Sequence, residues 1–195
     1  MDRILFLHGF FASGSCVPAK ALEACFGGRA EVLTPDLPLH PQESLAMIME
    51  ICRREKPKVI VGNSCGAFLA QIVASRMALP ALLGNPYFEM TKFLEERIGQ
   101  HEYKAQRRDG KQKFVICRQL VEEFSKLQQT QFDCSSPEND ARIWGLFGTN
   151  DTLAHYEPMF LLHYSHAFHF PGAHTPTGEE TRLYYAPLAE RLMRI

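Results

Sequence analysis

No stretch of this 195-residue sequence approaches the roughly 20 consecutive apolar residues that a membrane-spanning helix requires. An excess of charge is missing too, because 21 lysines and arginines are set against 22 aspartates and glutamates, for a formal net charge of -1. A chain so close to neutral has no overall attraction to nucleic acid or to an anionic membrane, so neither is expected as a partner. Residues 1–7 form a strand-like run without the length or cleavage site of a signal peptide, and a cytoplasmic location is expected.

Paired cysteines are also absent. The six cysteines are scattered, no C-x-x-C occurs, and without secretion their even number does not imply disulfides. The nearest approach to a metal motif is His163, His166 and His169, whose spacing of three would direct side chains to both faces of a strand. We therefore expect neither a metal nor an organic cofactor.

Short apolar runs alternate with helical stretches along the chain, which is the pattern of a parallel α/β sheet. The predicted strands lie near 3–8, 30–34, 58–63, 80–84, 142–147 and 165–170. The predicted helices lie near 16–27, 42–55, 65–78, 152–162 and 180–194. The length and the hydrophobic fraction of 46% predict one α/β domain over 1–195, with about six mostly parallel strands layered between helices.

Residues 87–139 interrupt this alternation. Their composition is polar and helical, with amphipathic patterns over 91–98 and 116–124 and no convincing strand, so we expect a helical insertion over the top edge of the sheet. Basic residues outnumber acidic ones here: Lys104, Arg107, Arg108, Lys111, Lys113 and Arg118 against Glu102 and Asp109. Such a stretch fits either a solvated loop or an entry surface for an anionic substrate, such as a phosphate-bearing thioester.

The segment Gly62-Asn63-Ser64-Cys65-Gly66 has the G-x-S-x-G form of a nucleophile elbow, a tight turn that presents a serine hydroxyl at the top of a sheet. The apolar, β-branched run 57–61 precedes it and the alanine-rich run 67–74 follows, as a strand and a helix should. Ser64 is therefore the candidate nucleophile. A structural Gly-Ser-Gly turn, or Cys65 as the nucleophile, are the alternatives.

A serine hydroxyl needs an imidazole to remove its proton, and the imidazole needs a carboxylate to orient it. Asp151 follows the predicted strand 142–147, and His174 follows the last predicted strand, which gives the order serine, acid, histidine. Asp151 could instead cap a helix that starts at Thr152, with Glu89 as the reserve acid. The three clustered histidines named above are the alternative bases.

Acyl transfer also requires donors for the oxyanion. The backbone N–H of Cys65 is one candidate, and that of Phe10, in the glycine-containing loop after the first strand, is the other. His8 is expected to orient this loop by hydrogen bonding. Phe10, Phe11 and Tyr87 are the candidate walls of an apolar substrate pocket, although each could equally belong to the core.

These motifs together resemble those of the α/β-hydrolase superfamily, and in particular those of the small bacterial YqiA-type esterases. The resemblance rests on Leu5-Phe6-Leu7-His8-Gly9-Phe10, Thr34-Pro35-Asp36-Leu37-Pro38, Val61-Gly62-Asn63-Ser64-Cys65-Gly66, Leu83-Gly84-Asn85-Pro86, Gly148-Thr149-Asn150-Asp151 and Gly172-Ala173-His174. It implies an α/β-hydrolase-like sandwich without the initial antiparallel strands. It also implies hydrolysis of acyl esters or thioesters through Ser64, Asp151 and His174.

Two other functions stay open at this point. The chain could be an idle hydrolase scaffold that binds a protein or ligand through the inserted helices. It could also be a thioesterase whose substrate is attached to an anionic carrier. Either way, the expected partner of an active enzyme is a small ester or thioester.

Overall fold

Six parallel strands form the central sheet of the computed structural model, which describes residues 1–195. They are β1 (Asp2–Leu7), β2 (Ala30–Leu33), β3 (Val59–Asn63), β4 (Ala81–Gly84), β7 (Ile143–Gly148) and β8 (Ala167–Phe170). Two further strands, β5 (Gly99–Glu102) and β6 (Lys113–Ile116), pair antiparallel in a separate hairpin. In the main sheet the order is β2-β1-β3-β4-β7-β8, so the direction of winding changes between β1 and β3. A crevice at the carboxyl ends of these two strands is where α/β sheets place their ligands.

Nine helices surround the sheet. They are α1 (Val17–Phe26), α2 (Pro41–Glu55), α3 (Cys65–Met77), α4 (Met90–Glu95), α5 (Arg118–Gln129), α6 (Pro137–Asp140), α7 (Glu157–Leu161), α8 (Gly178–Glu180) and α9 (Ala186–Leu192). A π-helical turn, Thr181–Tyr185, joins the last two. None of these helices combines the length and the apolar character needed to cross a bilayer.

Two hydrophobic cores lie on opposite faces of the sheet, and β1 supplies both. Ile4 and Phe6 pack with α1 and α9, whereas Leu5 and Leu7 pack with α2 and α3 on the other face. Because successive strand residues point to opposite faces, a strand buried on both sides reads as an unbroken apolar run. This is why the strand positions were predictable, and the six predicted strands are confirmed with small shifts of their ends.

The insertion over 87–139, called the cap below, contains α4, the β5–β6 hairpin, α5 and α6. The prediction that this segment has no strand is wrong. Each strand of the hairpin has four residues, and only alternate residues of each are sheltered. Since β5 reads Gly-Gln-His-Glu, its hydrophobic pattern is too weak to identify a strand.

The predicted helix over 152–162 is also wrong in its first half. Only Glu157–Leu161 is helical, and Pro158 lies in the first turn, where the missing N–H costs nothing. The preceding residues form a loop because the Asp151 carboxylate accepts hydrogen bonds from the amides of Leu153 and Ala154. The other predicted helices are confirmed, and 180–194 corresponds to α8, the π turn and α9.

Two arginines of the cap bind the loop after β2. The Arg107 guanidinium donates to the Leu37 carbonyl at 3.1 Å and forms an ion pair with Asp109 at 2.8 Å, with its side chain only 5% exposed. Arg108 donates to the carbonyl oxygen and to the hydroxyl of Thr34. These two guanidinium groups are therefore occupied within the fold, which disfavours the alternative that they form a substrate entry surface.

Candidate active site

The turn between β3 and α3 holds Ser64 at φ 57° and ψ −120°, a left-handed conformation that side-chain-bearing residues rarely adopt. The residues two positions before and after Ser64 must be glycines, because the backbones approach closely there. A Cβ at Gly62 would lie 2.5 Å from the Gly66 oxygen, and a Cβ at Gly66 would lie 2.0 Å from the Leu7 oxygen. Backbone strain of this kind costs about 1–3 kcal/mol and is found mainly at functional sites.

The structure brings Ser64, His174 and Asp151 together. The Nε2 atom of His174 lies 2.8 Å from the Ser64 Oγ, and the Nδ1 atom lies 2.8 Å from the Asp151 Oδ2. An ionised carboxylate can only accept, so the Nδ1–H donates to Asp151 and Nε2 accepts the Ser64 O–H. The Asp151 side chain is 2% exposed and that of His174 is 16% exposed. The three side chains are therefore shielded from solvent at the aspartate and more accessible towards the serine.

The ionisation of Asp151 follows from its contacts. Burial by itself raises the pKa of this carboxyl, but hydrogen bonds from His174 and from the amides of Leu153 and Ala154 outweigh it and hold the pKa below its usual value. One carboxylate oxygen thus caps the following loop while the other faces His174. The alternative that Asp151 caps a helix starting at Thr152 is wrong, because the next helix begins only at Glu157.

The amides of Phe10 and Cys65 make no hydrogen bond within the protein. Cys65 opens α3, so its N–H is among the unsatisfied donors at the positive end of a 13-residue helix. The loop of Phe10 lies against the serine, since a Cβ at Gly9 would be 3.5 Å from the Ser64 Cβ. The two amides predicted as oxyanion donors therefore have no partner within the protein.

His8 fixes the loop after β1. Its Nδ1–H donates to the Gly9 oxygen at 2.8 Å, and its Nε2 accepts from the Leu37 amide at 3.0 Å. Burial lowers the pKa of His8 to about 4, so the ring is neutral at physiological pH, as acceptance at Nε2 requires. The expectation that His8 orients this loop is confirmed.

A cleft of about 400 Å³ opens over Ser64 and His174, within the usual size range of small-molecule sites. Phe10 and Phe11 lie in its wall, as predicted, but Tyr87 does not. Tyr87 is buried behind Phe93 at a ring distance of 5.0 Å and meets the His174 ring edge-on at 6.3 Å. Its predicted role as a pocket wall is therefore corrected: it supports the histidine from behind.

Two basic residues, Arg97 and Lys104, line the same cleft, and no acidic residue does. Arg97 lies over the Phe93 ring at 4.1 Å and donates to the Phe93 carbonyl at 2.7 Å, with Glu96 alongside at 3.3 Å. Lys104 has no side-chain partner, and its amide donates to the Phe11 oxygen at 2.8 Å. Sequence reasoning singled out Lys104 only within the basic stretch and missed Arg97, because nothing in the helical pattern shows which charged residue faces the cleft.

The other candidates lie elsewhere. Glu89, the reserve acid, accepts a hydrogen bond from Tyr156 at 3.1 Å. The ring of His163 stacks on an aromatic neighbour, and His169 pairs with a glutamate at 2.9 Å. Burial raises the pKa of the Cys65 thiol to about 12, which removes the thiolate that a cysteine nucleophile needs.

Comparison with solved structures shows the same fold in several proteins. One of the metagenome-derived lipolytic enzymes LipS and LipT superimposes with a TM-score of 0.71 at 12% sequence identity, over 98% of this chain and 93% of that one. The monoacylglycerol lipase of Paleococcus ferrophilus gives a TM-score of 0.69 at 15% identity, over 98% and 94%. Est1E of Butyrivibrio proteoclasticus gives 0.65 at 14% identity, over 99% and 86%.

At such identities the likeness establishes the α/β-hydrolase fold and no more. Family membership comes from the sequence: residues 3–168 match the family described as "Uncharacterised protein family (UPF0227)". The match covers five strands of the central sheet and the first half of β8, together with the elbow and the cap. The chain therefore belongs to the UPF0227 family and has the fold of the α/β-hydrolase superfamily.

Proposed function

We propose that the protein is a serine hydrolase that cleaves carboxylic esters or thioesters through an acyl-enzyme. The observation that carries this proposal is the unbroken chain of two 2.8 Å contacts from the Ser64 hydroxyl through His174 to Asp151. Its position supports the proposal further, since it lies at the carboxyl ends of β3, β7 and β8, at the floor of an apolar cleft.

In the acylation step, His174 Nε2 takes the Ser64 proton while the oxygen attacks the substrate carbonyl. The charge that develops on the carbonyl oxygen is met by the amides of Phe10 and Cys65, and one such donor is worth about 3–4 kcal/mol of barrier in comparable sites. The protonated His174 then gives its proton to the departing alcohol or thiol, which leaves the acyl group on Ser64.

Deacylation reverses these roles. His174 removes a proton from an incoming water, the resulting hydroxide attacks the acyl-enzyme, and the proton returns to Ser64 as the carboxylic acid departs. In both steps the imidazolium is stabilised by Asp151, which is ionised at neutral pH because its pKa is held low. The names of two similar structures, lipolytic enzymes and a monoacylglycerol lipase, agree with a substrate of the ester class.

The test is hydrolysis of 4-nitrophenyl esters from acetate to decanoate by the wild type, Ser64→Ala and Ser75→Ala. Ser75 is a buried serine of the same helix that bonds Tyr164 and serves as the matched control. We expect Ser64→Ala to lose turnover to background, a fall of about 10⁶-fold in comparable triads, and Ser75→Ala to keep it. Equal turnover in the wild type and Ser64→Ala would contradict the proposal.

If no ester or thioester is turned over, a fluorophosphonate probe decides between an enzyme and a binding scaffold. Covalent labelling that disappears in Ser64→Ala supports an activated serine. Lack of labelling in the wild type favours the idle scaffold, whose partner would then be sought on the cap.

A second candidate substrate is a thioester attached to a phosphate-bearing carrier. The presence of Arg97 and Lys104 in the cleft, without a counterbalancing acid in its lining, favours it in a protein whose net charge is -1. The test compares a butyryl coenzyme A thioester with its neutral N-acetylcysteamine analogue. Lys104→Gln should raise KM several-fold for the charged thioester alone, and Lys111→Gln, outside the cleft lining, should change neither. An equal effect of Lys104→Gln on both thioesters would count against a role for charge.

A further inference from the structure

Asn85, immediately after β4, is a buried polar residue that the proposed reaction does not use directly. It is only 1% exposed, and it is absent from the lining of the cleft. Its backbone is left-handed at φ 40°, a conformation that asparagine tolerates better than most residues. A residue with this burial and conformation needs a full set of polar partners to be stable.

The side-chain nitrogen and the side-chain oxygen of Asn85 both bind to two loops. Its Nδ2 donates to the carbonyls of Ala173 and His174 at 2.9 and 3.0 Å. Its Oδ1 accepts from the amide of Gly148 at 2.7 Å. Gly148 ends β7 and lies three residues before Asp151, so one planar group joins the loop of the acid to the loop of the histidine.

A residue of β3, the strand that precedes Ser64, also contacts the His174 carbonyl. Asn63, the residue before Ser64, directs its Nδ2 at the His174 carbonyl at a longer 3.4 Å, and its Oδ1 accepts from the Tyr185 hydroxyl at 2.9 Å. The His174 carbonyl is therefore bound by the residue that follows β4 and by the residue that precedes the elbow serine. Asn85 makes the shorter of these two contacts. Of the two asparagines, it is the one that also binds the loop of Asp151, through the Gly148 amide.

We propose that Asn85 is the positioning residue of the triad, which sets the separation of Asp151 and His174 without touching the substrate. The inference rests on the proposed serine-hydrolase function. Removal of the amide group should let the two loops drift by a fraction of an ångström to an ångström, and errors of this size in catalytic geometry cost on the order of 100-fold in rate. The loss should fall on kcat and leave KM within threefold, because the cleft wall is not altered.

The experiment uses Asn85→Asp, Asn85→Gly and the control Asn139→Asp. Asn139 is a buried asparagine whose Nδ2 also donates to two carbonyls, those of Ser75 and Cys134, away from the cleft. The bonds from the Asn85 side chain to Gly148, Ala173 and His174 are called the clamp below. Asn85→Gly keeps the left-handed backbone accessible while removing the clamp. Kinetics on 4-nitrophenyl butyrate, together with thermal melts, separate a loss of rate from a loss of folded protein.

The pH profile of Asn85→Asp provides a readout that a purely structural role would not move. An ionised carboxylate can accept from Gly148 but cannot donate to the two carbonyls, so only its protonated form retains part of the clamp. Relative to the wild-type profile, the activity of Asn85→Asp should fall at higher pH, while the profile of Asn139→Asp keeps the wild-type shape.

The proton between His174 Nδ1 and Asp151 provides a second readout, independent of turnover. Its downfield ¹H NMR signal should be present in the wild type, Ser64→Ala and Asn139→Asp, and should be broadened or lost in Asn85→Gly. Absence of Ser64-dependent turnover with this pattern intact would reject the proposed function and keep the clamp. Wild-type kcat and an unchanged signal in folded Asn85→Gly would overturn the clamp. So would variants that cannot be purified folded, because Asn85 would then serve folding and not position.

Discussion

Acidification should destabilise the protein through His8. In the unfolded chain its pKa is about 6.5, and in the folded protein burial, the first cause, lowers it to about 4, with the nearby Arg107 charge acting in the same direction. The unfolded state therefore binds more protons between these values. The stability that neutral His8 confers is complete above about pH 6.5 and is lost as the pH falls towards 4.

The size of the effect follows from the shift. A folded-state pKa of about 4 against about 6.5 in the unfolded chain, at about 1.4 kcal/mol per pH unit, gives a loss of roughly 3 kcal/mol once the pH lies below both values. Between pH 7.5 and pH 5 the loss should be about 2 kcal/mol, a large part of a typical stability of 5–15 kcal/mol. His8 is only 3% exposed, so solvent screening reduces this loss of free energy only slightly.

Urea unfolding of the wild type, His8→Gln and His155→Gln at the two pH values measures the loss. Glutamine has the donor and acceptor needed for Gly9 and Leu37 but does not titrate, so His8→Gln should lack the 2 kcal/mol component. His155 is exposed and serves as the control, with a pH dependence like that of the wild type. If the wild type and His8→Gln lose the same free energy on acidification, the reasoning about burial of His8 is refuted.

Gly66→Ala should cost at least about 3 kcal/mol of stability, because the new Cβ would lie 2.0 Å from a backbone oxygen of β1 that cannot yield. Gly27→Ala, where the nearest atom is 3.6 Å away, should change the urea midpoint little. Arg107→Met should lower stability by about 1–3 kcal/mol by removing the donor of the Leu37 carbonyl and the ion pair with Asp109, with no preferential effect on a charged substrate. A selective rise in KM for a charged thioester in that variant would restore Arg107 to substrate binding.

The central sheet was predictable because parallel strands buried on both faces leave an unambiguous apolar signal. The elbow was equally clear, since glycines at 62 and 66 around a serine answer a geometric requirement that the sequence displays directly. The β5–β6 hairpin was not predictable. Its strands are short and half exposed, and tertiary contacts with the loop after β1 hold them in place, as in the bond from the Lys104 amide to Phe11.

The candidate site divides in the same way. Ser64, Asp151 and His174 were identified from residue type and position after a strand, but their 2.8 Å contacts depend on how three loops meet. Tyr87 was predicted to line the pocket, but an aromatic residue near the site can either line the cleft or pack in the core. Only its packing against Phe93 shows which of the two applies. Asn85 was noted as part of a motif, yet the positioning role proposed for it depends on bonds to residues at least 63 positions away along the chain, which no local pattern encodes.

The attachment of the cap has a consequence for how substrate would be delivered. Arg107, Arg108 and the Ser13 hydroxyl, which donates to the Gln106 carbonyl at 2.9 Å, tie the cap to the loops after β1 and β2. A mobile cap that opened at an oil surface would raise the rate when the substrate passes from dissolved molecules to droplets. A cover tied at several points gains nothing from such a surface. For the proposed ester hydrolysis, the rate should therefore saturate smoothly with dissolved monomer and show no jump at the onset of aggregation.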